Sequence, residues 1–363
     1  MAAPIGIALI GCGKIALANH LPGLALAGDR ARVVALCDAD PATLADAAKQ
    51  VPGAKPFADY RAALVHAGVD AVVVTTPNFN HAEIVLAAVA VGAHVLCEKP
   101  LALDFPTALA MYRAARAADV RHMTAYTYRF VPAMRYLKHL VDRGDLGQVY
   151  HVRAQRFQDW ADRPLGWRQR KELAGTGELA DMLSHRIDYA HHLVGRTTAV
   201  AAGLRTLVPV RGGQPSDVDD WVGLLADYDT GATGVLESTK LATGVGENYG
   251  GRDVVELNGT EASAAYSTQR PLELRLARKG DAELRTIPVP REFWVWPGSP
   301  RDPSAGDPQV TFRHDQSVEF VNAIADARAC AVTFRDGAAA QAVMDAAVQA
   351  HGERRWVDVP PVE

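Results

Sequence analysis

The sequence predicts an α/β protein: a helix-covered parallel sheet in the N-terminal third, then an α+β part built on a mostly antiparallel sheet. Three observations carry this. Up to Cys97, short continuous Val/Ile/Leu runs alternate with helix-like stretches, the pattern of strands buried on both faces. Beyond Gly195, turn residues recur at hairpin spacing, as in Asp229-Thr230-Gly231, Asn258-Gly259 and Lys279-Gly280-Asp281, which marks antiparallel pairing. A length of 363 residues makes two domains the natural expectation, here 1-125 and 126-363.

Each element has a local reason. Ile5 to Ile10 is an apolar strand, and Ile15 to Ala27 reads as a helix. Arg32 to Asp38 is a strand ending in an acid, and Asp40-Pro41 opens a helix, with the aspartate as cap and the proline in the first turn. Asp70 to Thr75 and His94 to Cys97 are buried strands around a helix from about Asn80 to Val91. After Tyr126-Thr127-Tyr128-Arg129-Phe130 comes a helix to about Arg143, an alternating strand over Gly147 to Arg153, and a helix from about Thr176 to Val194. Leu224 to Tyr228, Thr233 to Ser238, Val254 to Leu257 and Leu272 to Ala277 are hairpin strands. Pro297 to Pro308 is a surface connection, and helices over about 316–326 and 336–350 close the chain.

Composition narrows the function. A net charge of -4 supplies no basic field, so neither nucleic acid nor an anionic membrane is an expected partner. The four cysteines are scattered without a CxxC pair, which reads as reduced thiols in a cytoplasmic protein. The apolar run from Pro4 lacks a basic flank and is broken by Gly11-Cys12-Gly13-Lys14 before reaching bilayer length. A soluble, cytoplasmic protein is expected.

Gly11-x-Gly13-x-x-Ala16 follows a strand and opens a helix, and Asp38 ends the next strand. That context makes the glycine pattern a dinucleotide fingerprint. The glycines allow a tight turn and close approach to a pyrophosphate, and the helix N-terminus favours its charge. Asp38 would accept from ribose hydroxyls and repel a 2′-phosphate; its neighbours Ala39 and Asp40 offer no arginine, so NAD is expected over NADP.

The strongest signal for chemistry is Glu178 to Asp188. Asp181 and His185 lie four apart and Asp188 three further, sharing one stripe of an α-helix. Leu179, Met182, Leu183, Ile187, Ala190, Leu193 and Val194 fall mostly on the other side. The helix is expected to bury that side and to present a carboxylate beside an imidazole, groups that move protons near neutral pH. His20 and His191-His192 read as packing residues.

Four motifs together resemble the GFO/IDH/MocA oxidoreductases. They are the Gly11 turn, Thr76-Pro77-Asn78 with His81 opening a helix, Glu98-Lys99-Pro100 after a strand, and Asp181-x-x-x-His185. The resemblance spans essentially the whole chain. It implies a Rossmann domain that holds NAD through Gly11, Cys12, Gly13, Lys14, Ile15, Asp38, Thr76, Pro77, Asn78, His81, Glu98 and Lys99. It also implies a C-terminal substrate-binding domain whose open antiparallel sheet assembles homodimers or homotetramers. The reaction implied is oxidation or reduction of a sugar or polyol, with Lys99, Asp181 and His185 catalytic. The segments Gln158-Asp159-Trp160 and Gly166-Trp167-Arg168 resemble branches acting on glycosides and anhydrosugars. They suggest a substrate site of Lys99, Tyr128, Gln158, Trp167, Arg168, Asp181 and His185. This chain departs from the family pattern at Leu183, where glycine is common, and in having fewer glycines before Asp181; Leu183 is therefore expected to reshape the substrate pocket.

Removing hydride from a secondary alcohol needs an acceptor at the carbinol carbon and a base for the hydroxyl proton. His185 is the preferred base, with Asp181 fixing its tautomer and favouring its charged form, and Lys99 stabilising the alkoxide. The reversed assignment, Lys99 as base, stays open. So do reduction of a keto-sugar by the same site and a non-catalytic dinucleotide-sensing role. No metal is expected, because no HExxH or Cys/His spacing is present.

Overall fold

A computed structural model describes residues 3–246 and 252–363. The first sheet has six parallel strands: β1 (Ile5–Ile10), β2 (Ala31–Cys37), β3 (Lys55–Phe57), β4 (Ala71–Val74), β5 (His94–Cys97) and β6 (His122–Thr124). Their order is β3-β2-β1-β4-β5-β6, so strand order reverses between β1 and β4. A crevice opens at the carboxyl ends of the strands at such a point. Apolar continuity explains the central strands: Ile7, Ala8, Leu9 and all of β4 are fully buried. The short strands β3 and β6 have too few residues to show a pattern. Asp40 accepts from the Thr43 amide and Asp104 from the Thr107 amide, capping the helices Pro41–Gln50 and Phe105–Ala117.

The other strands are β7 (Val149–Phe157), β8 (Thr197–Arg205), β9 (Val210–Arg211), β10 (Gln214–Pro215), β11 (Trp221–Tyr228), β12 (Thr233–Thr239), β13 (Arg252–Gly259), β14 (Ala262–Ser267), β15 (Glu273–Arg278), β16 (Arg285–Pro288) and β17 (Val357–Asp358). Apart from the small β9–β10 ribbon they form one nine-stranded sheet, ordered β16-β15-β14-β13-β7-β12-β11-β8-β17. Every pairing in it is antiparallel except β7 with β12. One turn differs from the sequence reading: Asn258-Gly259 stays in β13, with Gly259 paired to Val149, so the chain reverses two residues later. Among the described residues no helix is long and apolar enough to cross a membrane, and all four cysteines are free and buried.

The key helix also differs. Leu179–Leu183 is a π-helical turn that continues as an α-helix over Ser184–Leu193. It has no solvent face, because it packs between β7 and β12 on one side and the helices Pro132–Asp142 and Phe334–Glu353 on the other. The expected stripe is therefore divided. Asp188 is buried away from Asp181 and His185 and receives Arg129 Nε (2.9 Å) and Nη2 (2.5 Å). Arg129 Nη2 also donates to Asp336 (2.9 Å), so one guanidinium ties this helix to the C-terminal one. Burial pushes the Asp188 carboxyl up to about 6 even against Arg129.

Arg129→Met leaves that carboxylate without its cation. The variant should lose about 3 kcal/mol of stability at pH 8. The gap from wild type should narrow at pH 5.5, where Asp188 takes up a proton. Denaturant titrations at the two pH values measure both; an equal loss at each would refute the charge assignment.

Candidate active site

The crevice at the strand ends continues into the second half of the chain as a cleft of about 850 Å³. Its first wall is set by the ends of β1, β2, β4 and β5, which deliver Gly11, Asp38, Thr75-Thr76 and Glu98-Lys99. Gly11 sits at φ +88°, and a Cβ there would lie 2.7 Å from the Thr75 carbonyl carbon and the Thr76 nitrogen. Glycine is thus required by conformation and by space. Gly13 is the converse: nothing lies within 4 Å of where its Cβ would stand, and it lines the cleft. Such a bare backbone fits a phosphate group approaching closely. Asp38 accepts from the Cys12 amide (2.8 Å) and the Asp40 amide (2.9 Å), which fixes its carboxylate at the rim. These residues fit a dinucleotide.

Lys14, Ile15, Thr76, Pro77, Asn78, Glu98 and Lys99 also line the cleft. Two residues expected on the cofactor do not. Cys12 is fully buried with its thiol near the Leu9 and Cys37 carbonyls, and burial pushes that thiol up to about 12. His81 lies behind the wall, with Nδ1 2.8 Å from the Pro100 carbonyl and Nε2 3.0 Å from the Thr76 carbonyl. Its desolvated ring is held below the ordinary histidine range. A neutral imidazole carries one N–H, so His81 donates to one of those carbonyls and lies against the other. His20, read as packing, instead donates from Nε2 to Glu98 Oε1 (2.8 Å).

The second wall comes from residues distant in sequence. Tyr128, Gln158, Trp167, Arg168, Asp181 and His185 all line it. Lys99 Nζ crosses the cleft to donate to the Asp181 carbonyl (2.5 Å) and Oδ1 (3.2 Å). Asp219 holds the start of the π turn by accepting from the Gly177 amide (2.7 Å) and the Leu179 amide (2.8 Å). Gly177 is needed for this, since a Cβ would fall 2.1 Å from the Asp219 carbonyl oxygen.

Of the expected Asp181–His185 partnership only the charge remains, Asp181 favouring the protonated ring. Asp181 is engaged by Lys99, by Lys240 (Nζ to Oδ2, 3.2 Å) and by Arg168 (Nε to Oδ1, 3.8 Å). Burial alone would raise its carboxyl, but Lys240, Lys99 and Arg168 hold it well below the usual carboxylate range. His185 packs edge-on against the rings of Tyr126 and Tyr128, and its buried Nδ1 has no hydrogen-bond partner among the described residues. Burial, then Lys99, Arg186 and Arg313, push the imidazole well below its ordinary value. His185 is therefore neutral near pH 7. Leu183, expected to reshape the pocket, is fully buried in the hydrophobic core; Met182 faces the cleft in its place. Helical spacing accounts for this: two residues from Asp181 and two from His185, Leu183 points away from the cleft that both of them line.

Several cleft residues escaped the sequence reading. Arg313 Nη2 donates to the Tyr128 hydroxyl (3.2 Å). Burial would raise that phenol, but Arg313, Arg156 and Arg186 lower it. Arg163 lies 3.7 Å over the Trp160 ring, as Arg168, which the sequence did single out, lies 4.2 Å over the Trp167 ring. Arg61 also reaches the Asp38 end of the cleft, where it pairs with Glu83. No sequence proximity linked Arg313 or Arg61 to the motifs, and Arg156 stands within a strand, two residues before Gln158.

Residues 5–126 match the family model for an oxidoreductase family with an NAD-binding Rossmann fold, and residues 134–265 match the GFO/IDH/MocA C-terminal domain. The chain is similar to levoglucosan dehydrogenase of Pseudarthrobacter phenanthrenivorans, 33% identical over 90% of this chain and 89% of that one. It is also similar to inositol 2-dehydrogenase of Rhizobium meliloti, 27% identical over 97% and 98% of the two chains. A solved structure of levoglucosan dehydrogenase in complex with NADH and levoglucosan superposes with a TM-score of 0.90 at 32% identity, covering 98% of this chain and 100% of that one. With both domain models matched in order along it, the chain belongs to the GFO/IDH/MocA family of NAD-binding oxidoreductases.

Proposed function

We propose that the protein is an NAD-dependent dehydrogenase that oxidises a secondary hydroxyl of a sugar of the anhydrosugar or glycoside kind, using Lys99, Asp181 and His185. The observation that carries this is a set of buried polar atoms without partners on the cleft wall: Gln158 Oε1, Trp160 Nε1 and His185 Nδ1, among the described residues. Buried groups of this kind call for a ligand bearing hydroxyls. The similarity to a structure with levoglucosan supports the same class.

The Gly11–Ile15 loop, Asp38 and the Thr76-Pro77-Asn78 and Glu98-Lys99 segments would hold NAD, which when bound would supply the hydride acceptor. The chain's own work is to place the alcohol and move its proton. Lys99, anchored on Asp181, puts an ammonium beside the hydroxyl oxygen and stabilises negative charge developing there. His185, kept neutral, is already in the form that accepts a proton. Tyr128, Gln158, Trp167 and Arg168 orient the ring.

In the same reading, residues 1-125 form the cofactor unit and 126-363 the substrate and oligomerisation unit of a cytoplasmic homodimer or homotetramer. Tyr150 and Leu225, on strands of the nine-stranded sheet, are 51% and 48% exposed. Covering such side chains is what an interface does. Sedimentation of the purified chain should give two or four copies; a monomer at micromolar concentration removes this part of the reading.

The purified protein, incubated with NAD+ and a panel of anhydrosugars, glycosides, monosaccharides and inositols, should show reduced-cofactor absorbance with at least one of them. Lys99→Ala and His185→Ala should each lower turnover by roughly two to four orders of magnitude while still binding NADH; full activity in both would sink the assignment. Gly13→Val should do the reverse of a core mutation: unchanged Tm, because its side chain enters open space, and NADH affinity at least about tenfold weaker by fluorescence titration.

A further inference from the structure

Lys240 has no part in the chemistry above, yet its side chain is buried and its ammonium lies 3.2 Å from Asp181 Oδ2 and 3.3 Å from Glu178 Oε2. Glu178 is fully buried as well, and its Oε1 accepts from Ser238 Oγ (2.5 Å). Asp181 is thus held from two sides, with Lys99 on Oδ1 and Lys240 on Oδ2. From this geometry we propose that Lys240 is a positioning residue. It keeps Asp181 ionised and turned so that Lys99 is aimed at the reacting hydroxyl. The inference rests on the dehydrogenase reading above.

Two buried carboxylates side by side do not both ionise without a cation between them. Lys240 is that cation. It extends from the end of β12, whereas Glu178 and Asp181 open the π turn, so the contact forms only when the turn is docked on the sheet. The groups facing Asp181 are Lys99, Lys240, Arg168, Glu178 and His185; those facing Lys240 are Asp181, Glu178, Asp219 and the Trp160 ring. In this field the two acids separate. Burial pushes Glu178 up to about 7, while Asp181 stays far below the carboxylate range, with Lys240 as its foremost cation. Glu178 takes up the proton that the pair holds near neutrality, and Asp181 remains charged for Lys99. Without Lys240 the two acids compete for that proton, and Asp181 releases Lys99 as it becomes protonated.

Lys240→Met, Lys240→Arg and the double variant Lys240→Met with Glu178→Gln separate this from a merely structural role. Lys240→Met should lower both Tm and kcat, the latter about tenfold to a hundredfold, with KM for NAD+ unchanged. It should also acquire an acid limb in the pH dependence of kcat between pH 6 and 8 that wild type lacks. Adding Glu178→Gln removes the competing acid and should recover Tm and abolish the acid limb, but leave kcat low at every pH because Asp181 Oδ2 is still unheld, and Lys240→Arg should recover all three. Recovery of kcat in the double variant, or wild-type kcat and pH profile in Lys240→Met, overturns the inference. Wild type failing on every sugar overturns the dehydrogenase reading instead. In that case crystal structures of Lys240→Met at pH 5.5 and 8 decide: Asp181 parting from Lys99 at pH 5.5 upholds the inference, and an unchanged contact at both ends it.

Discussion

The structure depends on keeping the Asp181 carboxylate charged inside the protein. Desolvating a carboxylate costs several kcal/mol, and a single partner rarely offsets that. Here the cations come from both sheets: Lys99 from the end of β5, and Lys240 from the end of β12. Neither sheet alone supplies both. The ion cluster therefore forms only where the two sheets face one another across the cleft, and docking and the charge state of the site are one condition.

Other parts of the fold hold that condition in place. Asp219 fixes the Gly177 and Leu179 amides at the entry to the π turn, setting where the segment bearing Asp181 begins. Behind the helix, Asp253 takes Arg186 and Arg156, and Arg129 spans Asp188 and Asp336. A helix with charged residues on every side and no solvent face is unusual for a single amphipathic segment. Each charge on it is answered from a different element, which fixes its rotation as well as its position.

What the sequence reveals and what it hides divide along this line. The Gly11 loop, Asp38 and Lys99 were legible because strand, turn and helix signals are local and these residues sit at strand ends. Asp181 and His185 were legible as a spacing, but their relation was not. Leu183, two residues from each of them, falls on the opposite side of the helix in the core, and Met182 meets the cleft instead. Lys240 and Glu178 carry no signal of their own: a lysine after a strand and a glutamate before a helix are ordinary surface patterns. Their burial is created by pairings 62 residues apart in sequence, Glu178 to Lys240, that only the fold brings together. His81 shows the opposite error. A histidine beside a cofactor motif reads as a ligand contact, and its place is decided by two carbonyls behind the wall.

The same cluster sets the character of His185. Burial and the charges of Lys99, Arg186 and Arg313 disfavour its protonated form, and Asp181 is the foremost group that favours it. In the reaction proposed, a base in this position would accept a proton from the alcohol but not hold it at rest, so the imidazole would return to its neutral form after each transfer. That behaviour requires Asp181 to be negative throughout. Were it protonated, the ring would face cations alone, and proton acceptance would become still less favourable as Lys99 lost its anchor. The two apparent roles of Asp181, orienting a lysine and tempering a histidine, are consequences of one retained charge.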